Sequence, residues 1–298
     1  MIDDVIKRFK ELDKKELRII TGIEIGMKHH EWVPIEEVAK FTKLPYSTLE
    51  YKIRELVKQN MVLATHVPYD GYQIYFDAYD ALALNTFVKR GTISGIGDEI
   101  GVGKESVVLE AVKDPELSIG EQQGVILKFH REGRTSFKQV KRLRSHLADR
   151  EHFSWIYAAR LAAKREADIM KKLCDDVPMP RVIDNNRHAL VMELAKGSIL
   201  YKTKLEDPQW FFDEIMRLIK LTYSKGIIHC DLSEYNIFVF EGGVQFIDWP
   251  QYVETTHPHA DELLERDISN LLKYFKRKYN IKKDLRELAE YVKSSEES

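Results

Sequence analysis

Apolar residues recur at helical spacing over Asp3 to Leu12 and Lys15 to Lys28, and again over Ile35 to Phe41. Thr42 to Tyr46 reads as a turn, and Ser47 is a good N-cap for a helix running to about Lys58. Val62 to Thr65 and Tyr72 to Phe76 then predict two short strands around Pro68-Tyr69-Asp70-Gly71, a hairpin with turn chemistry. Asp77 to Arg90 reads as a helix stopped by Gly91. Beyond it the pattern changes. Val107 to Ala111, Val125 to Phe129 and Ala189 to Ala195 are apolar runs of strand length, with a helix over 158–173 between the last two. Asp207 to Lys225 is amphipathic. Ile237 to Val239 and Val244 to Ile247 flank Glu241-Gly242-Gly243 as a second hairpin, and Asp261 to Tyr279 and Lys283 to Val292 predict two closing helices.

The first part, 1–76, resembles a winged-helix domain, with 77–91 as a linking helix. Ser47 to Lys58 would be the recognition helix, exposing Tyr51, Lys52, Arg54 and Lys58. Residues 1–90 hold fourteen basic and fourteen acidic side chains, so charge does not mark a strongly electropositive module. Docking onto protein, or onto the rest of its own chain, stays open beside nucleic-acid binding. The whole chain of 298 residues suits two domains, and its 46 basic and 48 acidic residues balance. No apolar run approaches the ~20 residues of a membrane span, and the N-terminus lacks a signal peptide's apolar centre, so no membrane partner is expected. Two cysteines, Cys174 and Cys230, are too few for a disulfide framework. The expected location is cytoplasmic.

The chemistry concentrates in 227–249. His229, Asp231 and Asn236 follow the pattern H-x-D-x-x-x-x-N, and Asp248 comes after one hairpin. This is the spacing of a kinase catalytic loop and its metal-binding aspartate. Asp231 would accept the proton of an attacking hydroxyl or orient a water, while Asn236 and Asp248 would hold magnesium (or manganese). Upstream, Gly101-Val102-Gly103-Lys104-Glu105-Ser106 is a glycine-rich turn that lets backbone N–H groups approach phosphates. It is not a Walker A loop, because Glu105 replaces the required Ser or Thr. Lys128, inside an apolar strand, is either an edge-strand device or a lysine for ATP phosphates. Glu166 on the 158–173 helix is the best candidate for its partner. Residues 128–150 carry eight basic against two acidic residues, a net of plus six, and read as an anion-binding loop for nucleotide or RNA or as a solvated face. Met192, Glu193 and Ala195 occupy the place of an adenine-binding hinge, with Met192 behind the base.

Taken together, IGVGKES (100–106), LKFHREGRTSF (127–137), VMEL (191–194), HCDLSEYN (229–236) and IDWPQ (247–251) make residues 92–298 resemble the RIO family of atypical protein kinases. The winged helix points to its second subfamily. The resemblance implies an α+β fold, a winged helix followed by a bilobal kinase-like domain with N-lobe 92–192, hinge 193–197 and C-lobe 198–298. It implies ATP and magnesium, serine/threonine kinase and ATPase activity, and a role in maturing the small ribosomal subunit. The implied partners are that subunit's precursor and its rRNA, with the winged helix and the basic loop 131–150 as contacts. It also implies a Lys128–Glu166 ion pair, Asp231 as the catalytic aspartate, Asn236 and Asp248 as metal ligands, and covalent phosphate on Asp248.

Departures from ordinary kinases are informative. Cys230 replaces the usual arginine, Ser233 stands where a lysine supports the transferring phosphate, and no Ala-Pro-Glu segment follows Asp248. Losing one transition-state cation costs about 3 kcal/mol, which predicts a slow enzyme. Two rival readings are a choline- or aminoglycoside-type small-molecule kinase and a nucleic-acid-binding scaffold whose kinase fold senses ATP.

Overall fold

The computed structural model describes residues 2–103, 106–115, 120–131 and 155–294. The chain divides into two compact units, Met1–Lys164 with Asp184–Val191, and Arg165–Ile183 with Met192–Ser298. Among the described residues no helix is long and apolar enough to cross a membrane.

The first unit opens with the helices Ile2–Glu11, Lys14–Gly26, Ile35–Thr42 and Tyr46–Lys58. Asp13 starts the second with a capping box, its carboxylate taking the Lys15 and Glu16 amides while Glu16 returns to the Asp13 amide. Ile19, Ile20, Ile23, Leu49, Ile53 and Leu56 interlock in the core beneath the strands Val62–Thr65 and Gly71–Ile74. A third strand, Val33–Pro34, pairs with Gly71–Ile74 and completes the wing. Two expectations are corrected. Ser47 is not the cap, since the helix starts at Tyr46 with Pro45 at the N-cap and no side-chain cap bond. The fixed φ of proline suits that junction. Lys52 is not a free cation on the recognition helix: it bonds Asp13 at 2.8 Å and Glu16 at 3.0 Å. Tyr51, Arg54 and Lys58 are exposed as expected, Lys58 pairing with Glu55 on the same helix.

The helix Phe76–Arg90 follows and ends at Gly91, which adopts φ +69°. It bears on a five-stranded sheet of order β4-β5-β6-β8-β7, where β4 is Gly95–Val102, β5 Ser106–Lys113, β6 Gln123–His130, β7 Val182–Asn186 and β8 Ala189–Glu193. Asp80 on the helix, fully buried, takes two bonds from Arg131 at 2.8 and 2.6 Å and one from His188 at 2.7 Å. Burial works to raise the Asp80 pKa, yet Arg131 and His188 outweigh it and hold it below the ordinary value. His188, stacked on Tyr79 at 4.4 Å, is pushed down to about 4 by burial and stays neutral. Arg131 is therefore an internal counter-ion and not a nucleic-acid contact. The rest of the basic loop, 132–150, lies outside the described residues. Arg187 adds a two-pronged bond to Glu24 at 2.9 and 2.7 Å, and Arg8 meets Asp77 at 2.8 Å.

The second unit is mostly helical. Pro208–Ser224 packs on a small sheet in which Ile237–Phe240 lies between Gly243–Phe246 and Ser198–Ile199, and Leu285–Lys293 packs against both Pro208–Ser224 and Ala260–Tyr279. The short strands Ile227–Ile228 and Val253–Glu254 pair beside it. Asp207 caps the first of these helices through the Trp210 amide.

Candidate active site

The site residues of the second unit hang from one hairpin. Ile237 pairs with Phe246 and Val239 with Val244, so Asn236 and Asp248 sit at its two ends with their spacing set by backbone. The Asn236 side-chain amide donates to Asp231 twice, to its carbonyl oxygen at 2.8 Å and its carboxylate at 3.1 Å. The Asn236 carbonyl accepts from the Ile247 amide at 3.0 Å. Asp231, Asn236 and Asp248 are thus tied into one piece. Because the Asn236 NH₂ is committed, its side-chain oxygen is the atom left for a cation. Paired with the half-exposed Asp248 carboxylate, it makes an all-oxygen donor set of the kind magnesium takes when phosphate and water complete its shell.

Two residues of this loop are in the left-handed region, Cys230 at φ +66° and Asp248 at φ +67°. For residues other than glycine this costs roughly 1–2 kcal/mol each, so the neighbours must impose it. At Cys230 they are visible. Asp267, 2 % exposed, accepts from the Cys230 amide at 2.8 Å and the Leu232 amide at 3.1 Å, while Arg266 donates to the Cys230 carbonyl. Burial pushes the Asp267 carboxyl up to about 7, with Asp231 adding to it against the two amides and Arg266. At Asp248, Trp249 is fully buried, its ring 4.4 Å from that of His229, and His229 Nε2–H donates to the Ile247 carbonyl at 2.9 Å. The Trp249 amide donates to Glu166 at 3.1 Å, and Glu166 is itself buried.

The segment expected as the hinge, 193–197, belongs to this unit as well. Met192 is buried, and Glu193 is held both ways to Arg181, amide to carbonyl at 2.9 Å and carboxylate to amide at 3.2 Å. Ala195 is followed by Lys196, whose amide donates to the buried Gln245 at 2.7 Å. Gly197 adopts φ +79°, and a Cβ there would fall 2.1 Å from the Val239 carbonyl oxygen, so this close approach requires glycine. Ser233, half-exposed, accepts the Asn236 amide at 3.0 Å through its carbonyl.

The remaining predicted residues lie in the first unit. Gly101 pairs with Val108, and the Gly103 amide donates to the Ser106 carbonyl at 2.8 Å, closing a tight turn between β4 and β5. Lys104 and Glu105 lie outside the described residues. Lys128 is buried and sits opposite Val108 on β6. Since β6 is the central strand of five, the edge-strand reading of this lysine falls.

Sequence reasoning missed Asp267 and Gln245. A signal existed for each. Asp267 lies on the apolar stripe of its helix, three residues after Leu264 and four before Leu271, and Gln245 interrupts an apolar strand.

An α+β chain with a winged helix, a glycine-turn sheet carrying a buried lysine, and this loop and hairpin is a protein-kinase-like molecule. Comparison with known proteins narrows the class. Residues 108–288 match the RIO domain, and residues 9–90 match the Rio2 N-terminal domain. The chain is 41% identical over 278 residues to the RIO-type serine/threonine-protein kinase Rio2 of Methanocaldococcus jannaschii, covering 89% of this chain and 99% of that protein. It is 34% identical over 304 residues to the serine/threonine-protein kinase rio2 of Schizosaccharomyces pombe, covering 100% of this chain and 86% of that one. The solved Rio2 kinase–ADP/Mg²⁺–phosphoaspartate complex from Chaetomium thermophilum superposes with a TM-score of 0.83 at 29% identity, covering 97% of this chain and 89% of that chain. The chain belongs to the RIO family of serine/threonine kinases, and within it to the Rio2 subfamily.

Proposed function

We propose that the protein is an ATP- and magnesium-dependent RIO kinase with slow turnover, acting in the cytoplasm on maturation of the small ribosomal subunit. The observation that carries the enzymatic part is the tie between Asp231, Asn236 and the residue preceding Asp248. It fixes a base, an amide oxygen and a carboxylate in the order that phosphoryl transfer needs. Asn236 and Asp248 would hold the magnesium, which when bound neutralises phosphate charge. Lys128 would supply the cation for the α/β-phosphates, and the turn at Gly101, Gly103 and Ser106 would cover them.

Our reading gives the two aspartates separate roles. The Asp248 carboxylate attacks the γ-phosphorus, an O–P bond forms, the bond to the β-phosphate oxygen breaks, and ADP leaves. A water then attacks the same phosphorus, passing a proton to Asp231, and the O–P bond to Asp248 breaks to release phosphate. The phosphoaspartate of the Chaetomium thermophilum complex supports this order. In the test, labelled ATP should leave an acyl phosphate cleaved by hydroxylamine. Asp231→Ala should accumulate it and Asp248→Asn should abolish it. Label found only on Ser or Thr, and stable to hydroxylamine, would replace the covalent route with direct autophosphorylation. No turnover above background would favour a nucleotide-sensing scaffold.

The ribosomal part rests on subfamily membership and on the exposed Tyr51 and Arg54 of the recognition helix. Co-sedimentation with small-subunit precursors from cell extract tests it. A protein that stays at the top of the gradient would remove it.

A further inference from the structure

Two tyrosines stand exposed beside the catalytic loop. Tyr235, immediately before Asn236, is 52% exposed, and Tyr201, in the turn Leu200–Lys202, is 49% exposed. Their ring centroids lie 4.8 Å apart with planes 33° from parallel, so they form one aromatic shelf. Exposed phenol rings are not placed there by the core. The shelf is held by backbone, since the Tyr201 amide donates to the Glu234 carbonyl at 3.0 Å.

A second observation concerns charge. The C-terminal turn of the helix Ala260–Tyr279 packs against the chain just after Tyr201. Lys278 donates to the Thr203 carbonyl at 2.8 Å and the Tyr201 carbonyl at 3.3 Å, and the Leu205 amide donates to the Tyr279 hydroxyl at 3.1 Å. These bonds bring the end of that helix beside the segment that carries Lys202 and Lys204. Lys202, Lys204, Lys278 and Lys282 are all exposed. Glu234, beside the shelf, is largely buried and paired with Arg277 at 3.1 Å, and the exposed acids of the same segments, Glu206, Asp207 and Asp231, are outnumbered by the four lysines.

We infer that the Tyr201–Tyr235 shelf with its flanking lysines is a docking surface for single-stranded nucleic acid, presented at the catalytic loop of the second unit. Stacked aromatics accept the face of any base, and lysines spaced around them track phosphates. A basic peptide would meet like charge here, and an acidic peptide would leave both ring faces without a matched partner. A duplex keeps its bases stacked inside and cannot use the shelf. This deepens the RNA part of the proposed function, and adds to the winged helix a second contact of different chemistry.

The test uses the full chain and a labelled single-stranded oligoribonucleotide of about 10 nucleotides, read by fluorescence anisotropy, with the corresponding duplex as comparison. Tyr201→Ala with Tyr235→Ala should weaken single-strand binding roughly tenfold or more while leaving duplex binding in place. Tyr201→Phe with Tyr235→Phe should bind like the parent, because the ring and not the hydroxyl does the stacking. Lys202→Gln, Lys204→Gln and Lys282→Gln together should lower the salt slope by about 3 contacts' worth. That triple variant, at exposed positions, decides the matter if the alanine pair melts early. Single-strand binding unchanged in the alanine pair and the triple variant overturns the proposal, as does an equal loss on duplex. If RNA binding is lost only through Tyr51→Ala and Arg54→Ala, the shelf is refuted while the winged-helix reading stands. A parent chain that binds no RNA refutes both. A raised KM for a protein phosphoacceptor with RNA binding intact makes the shelf a peptide site and overturns the nucleic-acid assignment.

Discussion

Asp267 never meets substrate in any reading of the site, yet Asp267→Asn should cripple the enzyme. Its two oxygens each take one backbone amide, from Cys230 and Leu232 on either side of Asp231. The amide isostere keeps one oxygen and turns an NH₂ toward the other N–H. Leaving a buried N–H without an acceptor costs about 1–3 kcal/mol, and the left-handed Cys230 stores roughly 1–2 kcal/mol that the lost bond no longer restrains. The competent loop should therefore become roughly thirty- to several-thousandfold rarer, and turnover should fall with it.

Stability should respond differently. Asp267 titrates at about 7 in the fold against an ordinary 3.8, because burial disfavours its charge. Folding therefore takes up a proton between these values, and stability declines as pH rises from about 4 to about 7. The shift of about 3 units corresponds to roughly 4 kcal/mol. Activity needs the ionised carboxylate and should move the opposite way, falling as pH drops through about 7. In Asp267→Asn this contribution to both slopes should vanish. ATP turnover and denaturant unfolding, each followed from about pH 5 to pH 9, measure the two sides. Wild-type turnover in the asparagine variant, or a wild-type activity flat across that range, would refute the reasoning.

Other outcomes follow from the same geometry. Lys128→Ala should weaken ATP–magnesium binding in calorimetric titration, and an affinity equal to the parent's would remove Lys128 from the site. Asp80→Asn strands the buried Arg131 and should destabilise the first unit by about 3–5 kcal/mol in denaturant unfolding. Because burial lowers the His188 pKa from 6.5 to about 4, its protonation opposes folding, so the hydrogen-exchange protection factors of Phe76–Arg90, taken relative to intrinsic exchange at each pH, should fall as pH falls across that window. Gly197→Ala should lower the melting temperature and weaken nucleotide binding together, since the hinge must lift off Val239 to admit a methyl group.

What could be read from the chain was what depends on spacing. H-x-D-x-x-x-x-N, the hairpin and the aspartate after it are local, and a hairpin converts sequence distance into spatial distance. The helix Phe76–Arg90 with its Gly91 stop was legible for the same reason. What escaped were pairings between distant residues. Lys52 looked like a free cation until Asp13 and Glu16 met it from another helix. Arg131 counted toward a basic loop until Asp80, 51 residues earlier, claimed it. The left-handed Cys230 and Asp248 carry no compositional mark, because neither is glycine. Val33–Pro34 is too short to show a period.

The buried bonds of Asp80 to Arg131 and His188, with Glu24 to Arg187, bear on how such chains are assembled from inherited parts. The two family matches, 9–90 and 108–288, suggest modules joined by a short connector. In this protein Asp80 and Glu24 come from one match and Arg131, Arg187 and His188 from the other. A winged helix transplanted from an unrelated protein would bring no carboxylate for Arg131, and a kinase domain excised at residue 92 would leave that guanidinium without its counter-ion, uncovered over the Phe129 ring. The units exchanged in descent and the units that fold are drawn along different lines, and shuffling at the first is restrained by charges sealed inside the second.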